Sequence, residues 1–161
     1  MPRVLFLRHA ARPPRPRPGV DRPDALTPTG EAQAQAVGVL LREHSLVPAL
    51  AVHTATVRTT QTTRLALAGL DVPMRVVSGG PSRMSDLEHR AAEWARQVTG
   101  SGPVLLCAHH PTQGMLCRAL GLRVRSSDRV LLEVELGDGP PRLVRLFTCA
   151  EDRTVWSAGD R

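Results

Sequence analysis

An arginine and a histidine stand side by side at Arg8-His9, where the apolar run Val4-Leu5-Phe6-Leu7 ends. A second histidine, His109, ends another apolar run, Val104-Leu105-Leu106-Cys107-Ala108. A second arginine, Arg58, opens the segment Arg58-Thr59-Thr60-Gln61-Thr62. Guanidinium forks match phosphoryl oxygens in a bidentate way that an ammonium does not. A neutral imidazole is a good nucleophile and can be oriented by a backbone carbonyl. Arg8, Arg58 and His109 can therefore surround a tetrahedral dianion while His9 attacks phosphorus in line. Phosphoryl transfer mainly needs positioning and charge neutralisation, and this set offers both without a metal.

Other residues have plainer readings beside the functional ones. His109 and His110 are adjacent, so on an extended strand they point to opposite sides and make poor joint ligands. No HExxH pattern or carboxylate partner supports zinc, so neither a metal nor a cofactor is expected. His110 lines the pocket rim or simply opens a helix. Arg12 and Arg15 follow the nucleophile closely and could grip a distal anionic part of a substrate, or could be solvated cations on a loop. Thr27 stands where it could touch substrate or cap a helix.

The elements that must position these groups follow from the hydrophobic pattern. Strands are expected at residues 3–7, 49–52, 75–77 and 104–108; the last is a continuous apolar run, as for a central strand buried on both faces. Residues 11–25 form a proline- and arginine-rich loop, extended or irregular because proline fixes φ and lacks a donor. Helices are expected from Thr27 to about His44, over 57–70 with a stop near Gly69, from Ser85 to about Thr99, and from Pro111 to about Leu120. Residues 130–136 and 143–147 read as a hairpin around Gly137-Asp138-Gly139. Residues 150–161 are polar and read as a loose tail. Strands alternating with helices predict one α/β domain over residues 1–161, with a mixed, mostly parallel sheet and helices on both faces. Strand ends in such sheets are where ligands bind.

Composition narrows the partners. The chain of 161 residues is 42% hydrophobic, enough for one sizeable core. No run of about eighteen apolar residues exists, so no membrane span is expected. The N-terminus lacks the features of a signal peptide, which predicts a cytoplasmic protein. Three cysteines without CxxC spacing read as reduced, buried thiols. The net charge is +6 and the pI about 11.0, yet every basic residue is arginine. Part of that basicity reflects coding bias; what remains is a positive potential that favours anionic substrates. Aromatics are only 2% with no tyrosine, so stacking platforms for single strands are missing. No basic helix reads as a groove-binding element. Nucleic acid is therefore not the expected partner.

The motifs together resemble the histidine phosphatase superfamily, the phosphoglycerate mutase-like fold, a three-layer sandwich. Leu7-Arg8-His9-Ala10 matches its opening Arg-His motif, with Ala10 where glycine is commoner. Leu26-Thr27-Pro28-Thr29-Gly30-Glu31-Ala32-Gln33 matches the segment that opens its first helix. Arg58–Thr62 matches its second arginine motif, and Val104–Pro111 the strand carrying its second histidine. The motifs occur in family order, and the short chain is most similar to the small branch of bacterial phosphohistidine phosphatases. The resemblance implies that His9 forms a phosphohistidine intermediate and that Arg8, Arg58 and His109 bind the transferred phosphoryl oxygens. The implied substrate is a phosphohistidine protein or a small phosphorylated metabolite.

The chain departs from the family pattern at one point. Most members carry an acid soon after the third strand to protonate the leaving oxygen. Here only Asp86 and Glu88 are near, and Ser85-Asp86-Leu87-Glu88 also reads as a capping box, with Ser85 capping and Glu88 reaching back. Phosphohistidine phosphatases can lack this acid, because imidazole is a better leaving group than an alkoxide. The alternative class is a non-catalytic anion- or nucleic-acid-binding module that uses the arginine-rich surface.

Overall fold

The computed structural model describes residues 2–98 and 102–159. The elements run β1 (Arg3–Arg8), α1 (Pro28–Glu43), β2 (Leu50–Thr54), α2 (Val57–Ala66), β3 (Met74–Val77), α3 (Met84–Gln97), β4 (Val104–Ala108), α4 (His110–Leu120), β5 (Arg129–Glu135), β6 (Arg142–Cys149) and β7 (Ser157–Ala158). They form one sheet in the order β3-β2-β4-β1-β5-β6-β7. The pairs β2–β3, β2–β4 and β1–β4 are parallel, and β1–β5, β5–β6 and β6–β7 antiparallel. The expected mixed α/β sheet is present, and its antiparallel part is as large as its parallel part.

Alternation along the central strands builds a core on each face. Val4 and Phe6 of β1, with Val104, Leu106 and Ala108 of β4, meet Leu87, Ala91 and Trp94 of α3 and Met115 and Leu116 of α4. Leu5 and Leu7, with Leu105 and Cys107, meet Val37 and Leu41 of α1 and Ala66 of α2. Successive strand side chains point to opposite faces, so a strand covered on both sides must be apolar throughout. Truncating a fully buried leucine such as Leu5 to alanine costs about 2–5 kcal/mol.

This layering decides where a ligand can bind. The chain leaving β1 turns to α1 on one face, and the chain leaving the neighbouring β4 turns to α4 on the other. The carboxyl ends of two adjacent parallel strands thus part company, which opens a crevice between them.

Local signals set most boundaries. Thr27 caps α1, its Oγ1 accepting from the Gly30 N–H at 3.0 Å. Gly121, in the left-handed region at φ 67°, closes α4. α2 stops at Ala66, short of the expected Leu70, because residues 67–69 turn into Gly69 at φ 77°. The Ser85 capping box does not form. α3 begins at Met84, and its cap position is Arg83, which makes no side-chain capping bond. The expected end of α3 at Thr99 lies outside the described residues.

The expected loose tail is not loose up to Gly159. β7 pairs with the end of β6, and Gly159 N–H donates to the Leu146 carbonyl at 2.8 Å. Gln33, fully buried on α1, donates through Nε2 to the carbonyls of Ala150, Glu151 and Arg153. Trp156 packs on the core beside α1 and donates to the Gln33 carbonyl at 3.1 Å. Asp160 and Arg161 lie outside the described residues. No helix among the described residues is long and apolar enough to cross a membrane.

Candidate active site

Arg8 is the last residue of β1 and pairs with Ala108, the last of β4. The His9 N–H donates to the Ala108 carbonyl at 3.1 Å, so His9 and His109 each sit one step past a paired strand end. Their ring centroids are 5.6 Å apart with the planes tilted by 58°. Arg58 opens α2 after β2, the strand next to β4.

His9 is only 6% exposed, and its Nδ1 lies 2.9 Å from the Ala10 carbonyl oxygen. A carbonyl only accepts, so Nδ1 carries the hydrogen and the lone pair stands on Nε2. Burial pushes the imidazole pKa down to about 3, with the charges of Arg129, Arg58 and Arg8 adding to it and the bond to Ala10 opposing. The ring is thus neutral at physiological pH. The Ala10 N–H donates to Thr62 Oγ1 at 2.9 Å, and that hydroxyl donates to the Arg58 carbonyl at 2.7 Å. One threonine therefore ties the turn after β1 to the first turn of α2.

His109 is held through Nε2, which lies 2.8 Å from Thr54 Oγ1. The Thr54 hydroxyl donates to Thr59 Oγ1 at 3.0 Å, and Thr59 donates to the Thr54 carbonyl at 2.7 Å. That chain spends both hydroxyl protons, so His109 Nε2–H donates to Thr54 and the lone pair stands on Nδ1. Nδ1 is buried with no hydrogen-bond partner among the described residues. Burial lowers the His109 pKa, with Arg58 and Arg12 adding to the effect.

The guanidiniums are fixed by acceptors on two sides. Arg8 donates to the Ser126 carbonyl and, at 3.1 Å, to that of Asp128. Burial and the charge of Arg129 lower its pKa to about 10, which leaves it a cation at physiological pH. Arg58 donates through Nη1 to Asp24 Oδ1, and Arg12 donates to the same oxygen at 3.1 Å. The Val57 N–H donates to Asp24 Oδ2 at 2.8 Å. Burial pushes the Asp24 carboxyl up, but these hydrogen bonds and the two cations outweigh it and hold the group below its usual range.

Of the residues expected from the sequence, the structure brings Arg8, His9, Arg58 and His109 together, with Arg12 joined through Asp24. Thr27 is engaged in capping α1, and its hydroxyl also lies 3.3 Å from the Ala11 carbonyl. It lines a cleft of about 510 Å³ with Arg12, Pro14, Ser127 and Glu151. His110 is exposed at the start of α4, its pKa lowered first by burial and then by the charges of Arg8 and Arg129. Arg15 is exposed on the loop and the structure does not bring it into the set. Asp86 is bonded to Arg90 Nε on its own helix at 3.0 Å, and Glu88 is exposed.

Three residues near the site are not apparent as site residues from the sequence. Arg129 is 3% exposed at the head of β5 and donates to the Ser127 carbonyl at 3.1 Å. Asp24 sits in a proline-rich loop with no period to mark it. Thr54 ends β2, where a polar residue closing an apolar strand is the available signal.

No protein-family model matches the sequence, and no curated protein matches it either. Solved structures do match. The chain is similar to the protein histidine phosphatase SixA complexed with tungstate, at a TM-score of 0.69 and 15% identity over 89% of this chain and 95% of that one. It is similar to a candidate phosphohistidine phosphatase SixA from Nakamurella multipartitia, at 0.60 and 24% over 90% and 94%. It is also similar to the phosphoserine phosphatase from Entamoeba histolytica in complex with 3-phosphoglyceric acid, at 0.60 and 11% over 91% and 96%. The chain has the phosphoglycerate mutase-like fold, the fold of the histidine phosphatases.

Proposed function

We propose that the protein is a phosphatase that works through a phosphohistidine on His9, with a phosphohistidine protein or a small phosphorylated metabolite as substrate. The observation that carries this reading is the buried, neutral imidazole of His9. Its Nδ1 is bound to the Ala10 carbonyl, and cationic guanidiniums act on it from Arg8, Arg58 and Arg129. A tetrahedral oxyanion, tungstate, is bound to the histidine phosphatase SixA of the same fold.

His9 Nε2 attacks phosphorus; the N–P bond forms as the bond to the leaving group breaks, and the leaving group takes the bonding pair. Arg8 and Arg58 stabilise the charge on the equatorial oxygens, and His109, once protonated on Nδ1, donates a third hydrogen bond. Water then attacks the phosphohistidine, returning the lone pair to Nε2 and releasing inorganic phosphate.

Proton supply to the leaving group narrows the substrate. Asp86 is occupied by Arg90, and Glu88 is exposed. Groups that leave without a fresh proton are therefore favoured. The imidazole of a phosphohistidine, protonated on its far nitrogen, leaves as a neutral ring, and an aryl oxide leaves as a stable anion. Hydrolysis of phenyl phosphate in the presence of a chelator tests the reading. Turnover in the wild type that disappears in His9→Ala is expected. Equal turnover in both would overturn it.

A further inference from the structure

Asp24 gives one carboxylate oxygen to two guanidiniums and the other to the backbone at the head of α2. Oδ1 accepts from Nη1 of Arg58 and, at 3.1 Å, from Nη1 of Arg12, while Oδ2 accepts from the Val57 N–H at 2.8 Å. Each arginine thus spends its Nη1 on Asp24. On each, Nε is buried and has no hydrogen-bond partner among the described residues. A guanidinium offers an anion its donors in pairs, and with Nη1 occupied the remaining pair is Nε and Nη2. Asp24 therefore engages Nη1 of both cations and leaves the Nε of each unengaged.

The loop geometry shows why such a clamp is useful. Arg12 lies three residues after His9 on a proline-rich segment, whereas Arg58 lies on a helix that follows a different strand. Among the described residues no backbone–backbone hydrogen bond joins Arg12 to Arg58, and the threonine tie between the two segments reaches Ala10 rather than Arg12. The carboxylate connects them, and it also places one negative charge beside the cations that would hold the phosphoryl group.

We propose that Asp24 is a positioning residue that orients Arg58 and Arg12 for phosphoryl transfer while its charge limits how tightly the site holds an oxyanion. The inference rests on the phosphatase reading for its kinetic part and on anion binding alone for the rest. Both Asp24 oxygens are engaged by Arg58, Arg12 and the Val57 N–H, so the residue acts through them. Loss of orientation lowers the rate, and loss of a negative charge strengthens binding of a dianion. A merely structural aspartate would weaken both together.

The experiment compares wild type with Asp24→Asn and Asp24→Glu, measuring kcat and KM for phenyl phosphate and the affinity for tungstate by calorimetry. Asparagine keeps the size and can still accept from the Val57 N–H, and a thermal melt checks that each variant folds. The expected result for Asp24→Asn is a kcat lowered about tenfold or more, with tungstate bound as tightly as in wild type or more tightly. Asp24→Glu, which keeps the charge, is expected to recover the wild-type tungstate affinity and part of the rate. Unchanged kcat in a folded Asp24→Asn, or tungstate affinity falling in step with kcat, would overturn the proposal. Absence of turnover in the wild type would count against the phosphatase reading instead. The role of Asp24 would then be decided by tungstate, with tighter binding in Asp24→Asn supporting it and weaker binding overturning it.

Discussion

His9 and His109 face each other because β1 and β4 are in register. Arg8 pairs with Ala108, and the rings one residue further on lie with centroids 5.6 Å apart. The parallel pairing of two buried strands thus fixes the separation of the two imidazoles. Flexible loops do not set it, which suits a site that must hold its geometry to a fraction of an ångström.

Arg58 supplies a charge that acts on both histidines. Arg58→Ala is expected to lower turnover of phenyl phosphate by at least ~100-fold, the scale of losing one preorganised donor to a developing oxyanion. Steady-state kinetics on the folded variant checks it. Activity within about twofold of wild type would be inconsistent with the role given to Arg58.

His109 presents a bare Nδ1 lone pair in the free protein, and its pKa is lowered by burial and by Arg58. A bound dianion reverses that balance and favours the protonated ring. Binding of tungstate at neutral pH is therefore expected to take up a proton. Calorimetry in two buffers of different ionisation enthalpy reads the uptake directly, and it should shrink in His109→Asn. Binding with no proton exchange would argue against His109 as a donor.

Acid should weaken the fold through His9. Its folded pKa is about 3, against an ordinary value of 6.5. Between these values the unfolded chain binds a proton that the folded chain refuses, so stability falls as pH falls from 6.5 and this contribution is fully present above it. Urea midpoints at pH 7.5 and 5.0 should differ more for wild type than for His9→Gln. Equal differences would contradict the buried neutral imidazole.

Gly30 sits where the helix carrying Gln33 meets the turn after His9. A Cβ there would stand 2.0 Å from the Ala11 carbonyl oxygen, which also accepts from the Thr27 N–H. Gly30→Ala is expected to destabilise by roughly 1–3 kcal/mol, because backbone must move to admit the methyl group. Denaturant titration measures the loss. A variant as stable as wild type would show that this contact is slack.

The strand-end residues of the candidate site are legible in the sequence because buried parallel strands read as apolar runs, and a polar residue closing such a run marks a strand end. Arg8, His9 and His109 carry that mark. Asp24 and Arg129 do not. Asp24 lies on a segment without periodicity, and its significance comes from Arg12 and Arg58, which are distant in sequence from each other. Arg129 heads a strand, and a cation there looks solvated until the carbonyl of Ser127 and the side chain of Glu151 close around it. The tail misled for a related reason. Its polar composition suggests a loose end, yet Trp156 and the three carbonyls held by Gln33 anchor it through tertiary contacts that no local pattern announces. Ser85-Asp86-Leu87-Glu88 has the spacing of a capping box, but burial of Leu87, Ala91 and Trp94 sets the start of α3 and overrides it.

Acid-labile phosphate on the protein is the most direct test of the nucleophile. The protein is mixed with a radiolabelled aryl phosphate, quenched in alkali during turnover, and mapped by mass spectrometry. Label on the peptide containing His9, attached through Nε2 and absent from His9→Ala, is the result predicted. Turnover with no phosphorylated histidine, or with the label on another residue, would contradict it.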